Sequence, residues 1–270
     1  MELLPLVRQL EGTEKEDRFR VIVQQLEDWC VPYQIHTYAT GKNIVVTLPS
    51  IEPNKATVGV SAHYDVVPYT PGANDNASSI AVCLSLIAKF FQQPLQHLQL
   101  KVIIFDEEET GLEGSKAYVS HYDVKAWLGL LNLEMVGQGN QLALWSLSDL
   151  AQGALLTTLE KTSQAQQIPT YRFDGIVTNV ADHISFREAG LEEAFTLTCV
   201  SEEDIAISTQ YYQAQAMQLE KETLWGILSQ APLFQHYHQP TDISVHLSED
   251  SLQLVTKVVE ATLHALDKKL

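Results

Sequence analysis

The chain has 270 residues, 45% of them hydrophobic, with 13 Gly and 10 Pro, and no apolar run reaches the ~20 residues that a membrane-spanning helix needs. Collagenous, disordered and membrane-spanning chains are excluded on that basis. Its 34 acidic against 17 basic residues leave a net charge of −17, a field that repels phosphate and so excludes nucleic acid and anionic lipid as partners.

A core at this length buries roughly 75% of the unfolded surface without staples, and with no repeat or linker in view one domain over residues 1–270 is expected. Cys30, Cys83 and Cys199 are widely separated and form neither a disulfide framework nor a CxxC pair. The first eight residues carry neither a basic stretch nor the long apolar one of a secretory signal. Together these features predict a reducing, cytoplasmic setting.

Along the chain, Thr13-Glu14-Lys15-Glu16 reads as a capping box opening a helix through Phe19, Val21, Ile22, Val23 and Leu26. Two β-rich runs, 33–38 and 43–48, flank a turn at Gly41 and predict a hairpin. The continuous apolar run 57–62 predicts a buried strand. Residues 76–91 predict a helix with Ile80, Leu84, Ile87 and Phe91 on one face. Further buried strands are expected over 100–105, 127–134 and 194–200, separated by helix-capable sequence. The last segment, 248–270, is an amphipathic helix with early acids and Lys268-Lys269 at its end, as the helix dipole favours. Strands alternating with helices predict a three-layer α/β/α fold on a mostly parallel, mixed sheet, and such sheets place their sites at the carboxyl ends of the strands.

The polar clusters fall at those ends. The strand 57–62 runs into His63-Tyr64-Asp65, in which a carboxylate two residues on can fix the imidazole tautomer. The segment Gly72-Ala73-Asn74-Asp75-Asn76-Ala77-Ser78 then opens a helix, with Asp75, ten residues after Asp65, either an N-cap or a ligand. Strand 100–105 ends in Asp106-Glu107-Glu108-Glu109, a run that is either a solvated turn or a set of carboxylates awaiting a cation. Strand 127–133 delivers Glu134, and Tyr237-His238-Gln239 lies in a loop before the last helix. His, Asp, Glu, Glu and His in one crevice suffice for two divalent cations with one carboxylate bridging.

These segments, in this order, resemble the M28 family of zinc-dependent aminopeptidases over roughly residues 58–247. The resemblance rests on Ala62-His63-Tyr64-Asp65, the Gly72–Ser78 segment, Glu108-Glu109-Thr110-Gly111-Leu112-Glu113-Gly114-Ser115, Asn132-Leu133-Glu134-Met135, Ala181-Asp182-His183 and Tyr237-His238-Gln239. It implies two zinc ions, one held by His63 and Glu134 and the other by Glu109 and His238, with Asp75 between them. It further implies Glu108 as general base, Asp65 as the orienter of His63, and short peptides as substrates. Tyr237 takes the position of an oxyanion-stabilising tyrosine in related enzymes, or simply packs. Asp182 supports the pocket or caps the helix that follows it. Glu134 departs from the family, which commonly has Asp there. Glu192-Glu193 stands where relatives carry an apolar run, as an acidic pocket or as a solvated strand start.

Rival readings within the same resemblance are a single-zinc glutaminyl cyclase, a carboxypeptidase and a ligand-stripped receptor. Tyr237 and the Gly111–Ser115 stretch favour the peptidase over the cyclase, and the filled ligand positions count against a receptor. The remaining histidines, His36, His97, His121, His236, His246 and His264, have no partner pattern and read as structural.

Overall fold

The structure, a computed structural model, describes residues 1–174 and 181–270. Helices α1 (Leu4–Leu10) and α2 (Lys15–Asp28) precede an antiparallel pair, β1 (Gln34–Thr37) and β2 (Lys42–Leu48). Next come β3 (Ala56–His63), a wide turn (Ala73–Ser78), α3 (Ser79–Gln92), β4 (Leu98–Phe105), α4 (Glu113–His121) and β5 (Gly129–Leu133). These are followed by β6 (Gln141–Trp145), α5 (Ala154–Ala165), β7 (Thr170–Phe173), α6 (His183–Glu188) and β8 (Ala194–Val200). The helices α7 (Glu202–Ala216), α8 (Lys221–Leu228), α9 (Pro232–Gln235) and α10 (Glu249–Asp267) close the order.

Among the described residues, eight strands make one sheet in the order β1-β2-β4-β3-β5-β8-β6-β7. Its centre is parallel, β4-β3-β5-β8, and antiparallel pairings join β1 to β2, β2 to β4 and β8 to β6. Period-two alternation sends side chains to two cores. On β4, Val102 and Ile104 join Val58, Val60, Leu131 and Leu133 beneath α3 and α10, while Ile103 and Phe105 meet Leu130, Tyr118 and Phe186 beneath α4 and α6. Each fully buried side chain of this kind contributes about 1.5–3 kcal/mol, and burial on both faces is why the central strands read as continuous apolar runs. The expected three-layer α/β/α fold is the one observed.

Several local expectations are corrected. Thr13 forms no capping box: its hydroxyl donates back to Leu10 O at 2.6 Å, and Glu14 takes the N-cap position of α2 without a side-chain bond. On α3 the buried stripe passes from Ile87 to Phe90, leaving Phe91 39% exposed, because the stripe advances there by three residues rather than four. Strands β6 and β7 are not among those expected; β7 has four residues and lies at the sheet edge. Ser248 does cap α10, accepting the Asp250 amide at 3.2 Å. The acids at the two ends of α10 bind elsewhere: Glu249 accepts the Leu3 and Leu4 amides, and Asp267 accepts those of Gln96, His97 and Leu98. Among the described residues no helix is long and apolar enough to cross a membrane.

Candidate metal centre

Because β3, β4 and β5 are adjacent and parallel, their carboxyl ends release three loops on one edge of the sheet. His63 is the last residue of β3 and is buried. Its Nδ1 lies 3.2 Å from Asp65 O and 3.3 Å from Asp65 Oδ1, so Nε2 faces the other way, 3.2 Å from Asp75 Oδ1 and 3.2 Å from Glu134 Oε1. Glu134 is held at the end of β5 by its amide, which donates to Leu197 O at 3.0 Å.

The acidic run after β4 is not a solvated turn. Asp106 is buried, and Glu107, in the left-handed region at φ 56°, turns the chain across the end of β3. There the two oxygens of Asp65 accept the amides of Glu108 (3.1 Å) and Glu109 (3.0 Å). Gly114 allows α4 to start against this turn: a Cβ there would stand 2.2 Å from Asp106 O. Asp75 sits in the Ala73–Ser78 turn, whose first amides, those of Ala73, Asn74 and Asp75, all donate to Asp242, at 3.1, 2.8 and 3.1 Å. Asn76 fastens the turn to β5 through Leu133 O at 3.0 Å. His238 completes the group, its Nε2 3.3 Å from Asp75 Oδ2 and 3.1 Å from Glu109 Oε2.

Asp75 therefore offers one oxygen to each of two imidazoles, and each imidazole nitrogen is shared with a second carboxylate. Ligand atoms about 2.0–2.1 Å from a tetrahedral zinc lie about 3.3 Å from one another, which matches these N–O separations of 3.1–3.3 Å. His238 Nε2 and Glu134 Oε2 are buried and make no hydrogen bond in spite of these neighbours. Ring nitrogens and carboxylates of this kind are the donor set of divalent transition metals. The residues present fit a divalent ion of this kind: His63, Asp75 and Glu109 offer ligand atoms that all lie within 4.8 Å of one another.

The protonation pattern agrees. Burial pushes Glu134 up to about 7, with the charges of Asp75 and Glu109 adding to the shift and His63 opposing it. Glu108 is raised well above the carboxylate range, first by burial and then by Glu134, Asp182 and Glu109 against the pull of His63. Burial works against a charged His238, yet the adjacent carboxylates of Asp75 and Glu109 push it up to about 10. The isolated centre thus gathers protons where cations would sit.

Tyr237 stacks on His238 with ring centroids 3.7 Å apart, and its phenol is raised by burial and by the charges of Asp75, Glu109, Glu108 and Glu134. Asp182 is fully buried and pushed up to about 7, by burial first, with Ser115 and His63 opposing. It stands at the N-cap position of α6 but makes no side-chain cap bond, so of the two readings the capping one fails. Of the Glu192-Glu193 pair, Glu192 is exposed, as a solvated strand start would have it, while the half-buried Glu193 accepts the Leu156 amide at 2.7 Å at the start of α5. Of the remaining histidines, His36 accepts from Asn43 in an aromatic nest, and His236 and His246 stack on each other. None of the six joins the cluster among the described residues.

Sequence reasoning missed two residues. Asp242 carried a signal, since it follows His238 by four positions in a loop already singled out. Arg18 carried another, as a cation on the same helical stripe as Ile22 and Leu26.

The model of peptidase family M28 matches residues 43–263. Aminopeptidase YwaD of Bacillus subtilis is 28% identical over 265 residues, covering 96% of this chain and 51% of that protein. The crystal structure of BSAP, a zinc aminopeptidase from the same organism, superposes with a TM-score of 0.63 at 26% identity, covering 83% of this chain and 50% of that one. Porphyromonas gingivalis glutaminyl cyclase shares the fold, with a TM-score of 0.72 at 17% identity over 100% of this chain and 98% of that one. The chain thus spans about half the length of the aminopeptidases it matches. With 221 of its 270 residues inside the family model, the chain belongs to peptidase family M28.

Proposed function

We propose that this chain is a zinc-dependent aminopeptidase that hydrolyses the amino-terminal bond of short peptides. The observation that carries the reading is Asp75, with one carboxylate oxygen toward His63 and the other toward His238. His63 and Glu134 would hold one zinc, Glu109 and His238 a second, and Asp75 would bridge them. Bound there, the ions would lower the pKa of water and polarise the scissile carbonyl.

The chain's own residues do the rest. Glu108 takes a proton from the attacking water as its oxygen bonds to the carbonyl carbon, then passes that proton to the amine nitrogen as the C–N bond breaks. Burial raises its pKa, which favours its taking up the proton. Asp65 keeps the His63 ring oriented and fixes the backbone of Glu108 and Glu109. The Tyr237 hydroxyl, raised and therefore protonated, donates to the developing oxyanion. Glu134, longer by one methylene than the aspartate common in the family, still reaches His63 Nε2 at 3.2 Å, which supports its place as a ligand. Free cysteines at 30, 83 and 199 are consistent with a reducing compartment.

A panel of aminoacyl-anilides, amino-blocked peptides and amino-terminal glutaminyl peptides, assayed with and without zinc, tests the reading. Zinc-dependent release of the amino-terminal residue from unblocked substrates is expected. Activity confined to blocked peptides would replace it with a carboxypeptidase, and cyclisation of glutamine without hydrolysis would replace it with a cyclase.

A further inference from the structure

Arg18 projects from α2 and is fully buried. Among the described residues no carboxylate pairs with it; its Nη2 donates to two backbone carbonyls, Pro71 O at 2.7 Å and Gly72 O at 3.0 Å, while Nε and Nη1 find no partner. A buried guanidinium without an ion pair is costly, so its place needs a reason. Pro71 and Gly72 immediately precede the turn that carries Asp75. Gly72 has φ 62°, and a Cβ there would stand 2.5 Å from Arg18 Nη2 and 2.7 Å from Asp75 O. The guanidinium and the Asp75 backbone therefore both occupy the space that a side chain at position 72 would need. Beyond it, Asp242 accepts the amides of Ala73, Asn74 and Asp75.

We propose that Arg18 is a positioning residue for Asp75: it grips the two carbonyls that enter the turn while Asp242 grips the three amides that follow, and so fixes the carboxylate with one oxygen toward each imidazole. The zinc arm of this proposal rests on the metal-centre reading above. A rival role is simple counter-charge, since Arg18 also lies within electrostatic reach of Asp75, Asp242, Asp65 and Glu109. The two roles differ in sign. Losing a nearby positive charge by itself strengthens cation binding, whereas losing the grip weakens it.

The experiment compares wild type, Arg18→Lys and Arg18→Met in three readouts. These are zinc affinity by chelator competition, the visible spectrum of the cobalt-substituted protein, and amide hydrogen exchange of the metal-free protein over residues 73–77. Positioning predicts zinc affinity about 10–100-fold weaker in Arg18→Met, the cost typical of losing a residue that orients a ligand. It also predicts partial recovery in Arg18→Lys, an altered cobalt spectrum, and faster exchange confined to the turn. Zinc affinity in Arg18→Met equal to or tighter than wild type overturns the proposal. Should Arg18→Met fail to fold, Arg18→Lys decides: wild-type affinity, spectrum and exchange in that variant overturn it. A wild-type chain that binds no zinc contradicts the metal-centre reading instead, and the exchange measurement then decides the positioning claim alone.

Discussion

Asp65 stands behind His63, its Oδ1 3.3 Å from the ring's Nδ1 on the side away from the carboxylate cluster. The same carboxylate accepts the amides of Glu108 and Glu109, so one buried side chain orients residues from two strand ends. Replacing it with Ala frees the ring and both amides at once. Zinc affinity in Asp65→Ala is expected to fall about 10–100-fold by isothermal titration; an unchanged affinity would show that ring and turn hold themselves.

Glu108 is not needed to hold metal in this account. Glu108→Gln keeps the shape and hydrogen-bonding capacity but cannot take a proton. Zinc content by atomic absorption should match wild type while kcat drops about 10²–10⁴-fold. Full activity in this variant assigns the proton transfer to another group.

Metal binding must displace protons. His238 is pushed up to about 10 and Glu134 to about 7 in the metal-free centre, and both must be deprotonated to ligate. Zinc affinity should therefore rise with pH between about pH 6 and 8, by about tenfold per unit for each proton released. Titrations in buffers of different ionisation enthalpy count the protons. A pH-independent affinity would mean that these two groups are not ligands.

Away from the centre, Asp267 joins α10 to β4. Burial opposes its ionisation, yet three backbone amides, of His97, Gln96 and Leu98, hold its carboxyl below the ordinary 3.8. A depressed folded pKa means that the stabilisation is present above 3.8 and is lost as pH falls through the lower folded value. Asp267→Asn should cost about 1.5–3 kcal/mol at neutral pH in urea denaturation. The gap to wild type should close in acid as the native carboxyl protonates, and a gap that persists there would point to packing instead.

What the sequence revealed and what it hid follow from the range of the interactions. The parallel strands were legible because burial on both faces leaves uninterrupted apolar runs, as in β8, buried along its whole length. His63, Asp75, Glu109 and Glu134 were legible because each lies at a strand end or opens a helix, and His238, in a loop, because its neighbours are recognisable. Hidden were contacts whose partners lie far apart in the chain. Nothing near Glu193 announces the amide of Leu156, 37 positions earlier. Arg18 lies 57 positions before Asp75 and reaches its turn only after α2 packs beside it.

The central claim is that two metal ions share Asp75. Anomalous diffraction at the zinc edge from crystals grown with zinc measures this most directly. The account predicts two peaks, one beside His63 and Glu134 and the other beside Glu109 and His238, each also bound by one oxygen of Asp75. A single peak, or two peaks that Asp75 does not join, would contradict it.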